Sequence, residues 1–114
     1  MIEIASSPTT TTVSVAGELD LAEREQFPEV AARVVGLRRQ LLVIDMCQVT
    51  FVDSTGAAFL ISLANTCRKR GGTTVLRGCS GRELFVLDVC GALDLFRIDT
   101  DHSCAHVPAA GVVG

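Results

Sequence analysis

Leu41-Leu42-Val43-Ile44-Asp45, then Val49-Thr50-Phe51-Val52-Asp53-Ser54-Thr55-Gly56, then a run closing on Arg68-Lys69-Arg70-Gly71-Gly72, is the stretch on which the fold turns. Leu41 to Ile44 is apolar at every position and bounded by polar residues, the pattern of a central strand covered on both faces. Val49 to Val52 is a second, short apolar piece. Beyond it Ala57, Leu60, Ile61, Ala64 and Cys67 recur at three- and four-residue spacings, which predicts a helix through Arg70. Cations in its last turn complement the negative end of the helix dipole, and the paired glycines stop it. Asp53-Ser54-Thr55-Gly56 therefore sits where a buried strand gives way to a helix.

Upstream, residues 2–4 and Thr11 to Ala16 read as two strands around a polar turn at Ser6-Ser7-Pro8. The second alternates with period two about Val13 and Val15. Gly17-Glu18-Leu19-Asp20 breaks that pattern, and Asp20 is placed to cap the helical segment after it. Leu21, Phe27, Val30, Ala31, Val34 and Val35 then share one broad helical face. Pro28 fits only a first turn, so one loose turn precedes a main helix starting near Phe27 and ending at Gly36. Downstream, Thr73-Thr74-Val75-Leu76 is a strand. Ser80-Gly81-Arg82-Glu83 is a capping box opening a helix that carries Leu84, Phe85, Leu87 and Val89 and ends at Gly91. Leu95-Phe96-Arg97-Ile98 adds a final edge strand.

Strands alternating with helices imply an α/β domain with a mixed central sheet, parallel at its centre. The expected architecture has four to five strands and three to four helices packed mainly on one face. Its length of 114 residues suits a single domain with a core at about 2–99 and a frayed tail over 100–114.

Composition narrows the function. Hydrophobic residues make up 48% and charged residues 20%, which argues for a folded core. A net charge of -3 argues against a nucleic-acid surface, which needs clustered excess Lys and Arg. Aromatics are 4%, with neither Trp nor Tyr, so platforms for stacking bases or sugars are scarce. No apolar run approaches the ~20 residues that span a bilayer, and Met1-Ile2-Glu3-Ile4 has no signal-peptide character. The expectation is a cytoplasmic protein with no membrane partner.

Two readings compete for Val52-Asp53-Ser54-Thr55-Gly56. In the structural one, a hydroxyl at the junction caps the helix by accepting an amide hydrogen bond. In the functional one, the same hydroxyl carries a phosphate. The phosphate would lie near unpaired amides and the positive end of the helix dipole, while adding nearly two negative charges beside Asp53. Such a change spares the fold and disrupts a protein contact. An enzyme with Ser54 as nucleophile is disfavoured: the only histidines lie in the tail, and Gly-x-Ser-x-Gly is absent. No catalytic residue and no cofactor is expected.

The chain resembles STAS domains, and among them bacterial anti-sigma factor antagonists. The matching pieces are Val15-Ala16-Gly17-Glu18-Leu19-Asp20, Leu42-Val43-Ile44-Asp45, Val49 to Gly56, Arg70-Gly71-Gly72 and Gly91-Ala92-Leu93 with Leu95-Phe96-Arg97-Ile98. They run in order over roughly residues 10–99. The resemblance implies a STAS fold and a partner that is both anti-sigma factor and serine kinase. Binding that partner in the unphosphorylated state frees a sigma factor. Phosphorylation of Ser54 ends the binding, and a PP2C-type phosphatase reverses it. Asp53 would orient the serine, Asp20 would share the docking face with Ser54, Thr55 and Gly56, and Thr55 is a less favoured second acceptor. An alternative on the same fold is an unphosphorylated accessory subunit docked on a transporter ATPase.

Cysteines 47, 67, 79, 90 and 104 lie outside the family pattern. Without a Cys-x-x-Cys pair they read mostly as small buried hydrophobes. Cys47, just before the motif, and Cys79, just before the third helix, are candidates for sensing oxidants. His102, Cys104 and His106 are metal-ligand types in a tail that offers little to hold them, so no metal site is expected.

Overall fold

The computed structural model describes residues 1–102 and 104. Five strands form one sheet in the order β1-β2-β3-β4-β5: β1 (Ile2–Ser6), β2 (Thr10–Leu19), β3 (Leu41–Val52), β4 (Thr73–Arg77) and β5 (Arg97–Asp99). β1 runs antiparallel to β2, and every other pairing is parallel. Three helices connect the parallel strands: α1 (Phe27–Leu37), α2 (Ser54–Lys69) and α3 (Gly81–Val89). The mixed sheet with a parallel centre and three helices matches the architecture expected from the alternation of elements.

One face of the sheet carries the core. Thr11, Val13 and Val15 of β2, Leu42, Ile44 and Met46 of β3, and Thr74 and Leu76 of β4 are buried there. Ala57, Leu60, Leu63, Ala64 and Cys67 of α2 pack against them, with Val30 and Val34 of α1 and Leu87 of α3. Phe27 of α1 stacks on Phe59 of α2, ring centroids 4.2 Å apart, and ties those helices together. The residues between these, such as Ser14, Val43, Asp45 and Arg77, are only half-buried. So β3 is covered fully on one face rather than on both. Its apolar run reflects a strand whose second face is partly shielded by neighbouring side chains, including the cross-strand pair Asp45–Arg77 at 3.1 Å.

Several boundaries differ from the sequence reading. The last strand is Arg97–Asp99 rather than Leu95 to Ile98, because Leu93–Leu95 closes into a 3-10 turn before it. β3 is one strand of 12 residues, not two pieces, because the polar residues Asp45 and Gln48 stay in the ladder with β2. β2 continues to Leu19 through register shifts beside Gly17, which has φ +80°. α1 passes through Gly36 and ends at Leu37, where Arg38 takes the left-handed turn at φ 55°. The loose turn before α1 is present as a 3-10 segment, Leu21–Gln26, capped by Asp20 as expected. Leu21 and Val35, assigned to the buried face, are 54% and 39% exposed. At the start of α3 the expected capping box is present, the backbone amide of Ser80 donating to Glu83 Oε1 at 2.9 Å, and the Ser80 hydroxyl also donates to Oε2 at 2.6 Å.

Candidate functional site

The end of β2, the 3-10 turn and the start of α2 meet at Asp53. Its backbone is extended, so its side chain folds back over the first turn of α2 and Oδ1 accepts the Gly56 amide at 2.8 Å. Oδ2 accepts the Leu21 amide at 3.1 Å, from the loop that follows β2. The Asp53 amide in turn donates to the Leu19 carbonyl at 3.3 Å. One carboxylate thus clamps two segments 32 residues apart. Asp20, next in the loop, uses its own Oδ1 to accept the Ala22 amide at 3.1 Å.

The helix cap is therefore Asp53, not the hydroxyl of Ser54 or Thr55. Ser54 is the first residue of α2 and is exposed; Thr55 is half-buried and Gly56 is buried. Gly56 is required by sterics. A Cβ there would collide with the Leu19 carbonyl oxygen and approach the Leu19 carbonyl carbon to 2.8 Å. The absence of a side chain lets the first turn of α2 press against the end of β2, which brings Asp20, Asp53, Ser54 and Thr55 onto one edge of the molecule.

Two apolar side chains close to these residues in the chain are exposed, which the sequence reading did not foresee. Leu21 follows Asp20 and hydrogen-bonds to Asp53 through its amide, and Phe51, two residues before Asp53, is 44% exposed. The signal for Leu21 was its place directly after a cap, where a helical face has not yet formed. For Phe51 it was the loss of alternation in β3 beyond Met46, where exposed and half-buried residues run from Cys47 to Phe51.

The cysteines divide differently from the expectation. Only Cys67 is a buried core residue; Cys90 is exposed, and Cys47 is bonded to Cys104. Cys79 keeps a free thiol, but burial, with a further contribution from the Glu83 carboxylate, pushes it from 9.0 up to about 12. Little thiolate forms near neutrality, which counts against Cys79 as an oxidant sensor. His102 and Cys104 are held near Cys47, whereas His106 lies outside the described residues. A cavity of about 540 Å³ is lined by Glu3, Ser14, Asp45, Cys47, Arg77 and His102 among others, and by none of Asp53 to Gly56. Among the described residues no helix is long and apolar enough to cross a membrane.

Comparison with known proteins places the fold. The anti-sigma-B factor antagonist of Bacillus subtilis is similar, 28% identical over 88 residues that cover 75% of this chain and 78% of that protein. The solved anti-sigma factor antagonist SpoIIAA from Bacillus has the same fold. Its unphosphorylated form superposes with a TM-score of 0.71 at 18% identity, covering 89% of this chain and 90% of that one. Its phosphorylated form gives 0.69 at 17%, covering 89% and 93%. An anti-sigma factor antagonist from Mycobacterium paratuberculosis matches with a TM-score of 0.70 at 25% identity, covering 88% and 85%. The STAS domain pattern matches residues 1–105, nearly the whole chain, and the chain belongs to the STAS domain family.

Proposed function

We propose that this protein is an anti-sigma factor antagonist: a binding module that sequesters an anti-sigma factor with serine kinase activity and is switched off by phosphorylation of Ser54. The observation that carries the reading is the division of labour at the head of α2. Asp53 supplies the cap and the clamp, and Ser54 stands exposed beside it with no capping duty. A hydroxyl with no structural task can be modified without unfolding the domain.

Electrostatics support the same reading. The N-terminus of α2 carries no acidic residue in its first turn, so the helix dipole tolerates a phosphate there. Asp20 and Asp53 already make the edge acidic, and phosphate adds nearly two more charges to a surface a partner must desolvate. Leu21 and Phe51 supply the apolar anchors that a small interface needs around a polar centre. The similarity to named anti-sigma factor antagonists, one of them solved with and without phosphate, agrees with this.

In this reading the chain performs no catalysis. The kinase positions ATP, Asp53 fixes the direction of the serine, and a PP2C-type phosphatase restores the binding form. Incubation with candidate anti-sigma kinases and ATP, followed by phosphosite mapping, tests it. Transfer to Ser54, and its loss in Ser54→Ala, is the expected result. Stable binding to a transporter ATPase with no transfer by any kinase would replace this reading with an accessory-subunit role.

A further inference from the structure

Away from the Ser54 edge, three side chains with metal-binding atoms converge. Cys47 projects from β3, and His102 and Cys104 come from the segment following β5. Their sulfur and imidazole atoms all lie within 4.8 Å of one another, an arrangement that no other group among the described residues matches. In the structure the two sulfurs are joined, with Cα atoms 5.5 Å apart.

The surroundings are built around the pair. Gly78, at φ +74°, lies beneath both sulfurs; a Cβ there would overlap Cys47 Sγ and come within 2.9 Å of Cys104 Sγ. Asp99 Oδ1 accepts the amides of Asp101 at 3.0 Å and His102 at 3.1 Å, which turns the chain after β5 back toward β3. Asp45 Oδ1 accepts the Cys47 amide at 2.9 Å, and Arg77 holds the other oxygen of that carboxylate at 3.1 Å. Cys47 and His102 both line the cavity of about 540 Å³. The donors are thus held from both sides, with space beside them for a further ligand.

We propose that the reduced form of Cys47, His102 and Cys104 binds a thiophilic divalent cation of the zinc class, through two thiolates and one imidazole. Two sulfurs and a nitrogen select a borderline-soft ion, and a tetrahedral site needs ligand atoms about 3.5–4 Å apart at Zn–S and Zn–N lengths of about 2.3 and 2.0 Å. Breaking the sulfur–sulfur bond lets the pair open to that spacing. The fourth position faces the cavity and is filled by water.

The chemistry balances in two steps. A dithiol reductant gives two electrons and two protons to the Cys47–Cys104 bond, yielding two thiols and the reductant's own disulfide. The cation then displaces both thiol protons to solvent and bonds the two sulfurs and the imidazole. Oxidation and metal binding are mutually exclusive states of the same pair. Either one fastens the segment after β5 to β3.

The full chain, reduced with a phosphine and freed of metal under anaerobic conditions, is titrated with cobalt(II) as a spectroscopic stand-in for zinc. The expected result is one ion per chain, a near-ultraviolet thiolate-to-cobalt band, visible bands of tetrahedral cobalt, and displacement of all of these by zinc. Cys104→Ser and His102→Ala weaken binding by about tenfold or more, because losing even an outer-shell partner costs that much. The Cys79→Ser/Cys90→Ser double variant binds as the wild type does, and the oxidised chain does not bind. Absence of the thiolate band in the reduced wild type overturns the proposal. So does a band whose dependence on cobalt concentration is unchanged by Cys104→Ser, which places the ligands elsewhere, or by His102→Ala.

Discussion

Asp53 answers two amides with one carboxylate, and that economy is what leaves Ser54 available. Gly56 completes the arrangement, since only a residue without Cβ lets α2 start against the Leu19 carbonyl. Gly56→Ala is expected to destabilise the fold by about 3 kcal/mol, the upper range for forcing a methyl into a packed contact; urea denaturation measures it. In the proposed function the exposed pair Leu21 and Phe51 serves binding instead. Leu21→Ala and Phe51→Ala should each weaken anti-sigma binding by about tenfold, or 1.4 kcal/mol, while leaving the denaturation midpoint nearly unchanged, as titration calorimetry beside melting can show. The sequence pointed to Asp53 and Ser54 through their place at a strand-to-helix junction. It assigned the cap to a hydroxyl, Ser54 or Thr55, and was wrong there, because Asp serves at that position as well as Ser and Thr do. Only the Leu21 amide, brought in by β2, selects Asp53 for the double role.

At the scale of elements, periodicity and capping identified the three α-helices and the parallel centre of the sheet, and the reading failed where tertiary contacts overrode local pattern. β3 looked broken because Asp45 is a polar residue in mid-strand, yet Arg77, its partner in the neighbouring strand, neutralises it there. β2 looked finished at Ala16 because Gly17 favours turns, whereas here it permits a register shift within the strand. The end of α1 was assigned to Gly36, but the left-handed position falls two residues later on Arg38. That residue holds a conformation costing an L-amino acid about 1–2 kcal/mol, and it is exposed. Arg38→Gly should therefore raise stability by about 1 kcal/mol and the melting temperature by several degrees, readable by calorimetry. An unchanged or lower midpoint would mean that the arginine side chain contributes what its backbone loses.

Across the whole molecule, the Ser54 edge and the cysteine cluster are separate devices on one sheet. The first lies where β2 and β3 run out into the loop and α2. The second joins β3 to the segment beyond β5, 57 residues away in sequence. Sequence spacing held no hint of that bond, because the two cysteines meet only once β4 and β5 have been laid beside β3. The cross-link restrains the unfolded chain, so Cys104→Ser is expected to cost about 3 kcal/mol in oxidising buffer and almost nothing in reducing buffer, as paired denaturation curves would show. The Ser54 edge carries the central claim, and its direct test is the affinity of one anti-sigma factor for the chain before and after stoichiometric phosphorylation. The account predicts that phosphate on Ser54 weakens binding at least tenfold, about 1.4 kcal/mol or more, with the circular dichroism spectrum unchanged. Equal affinity of the two forms would contradict it.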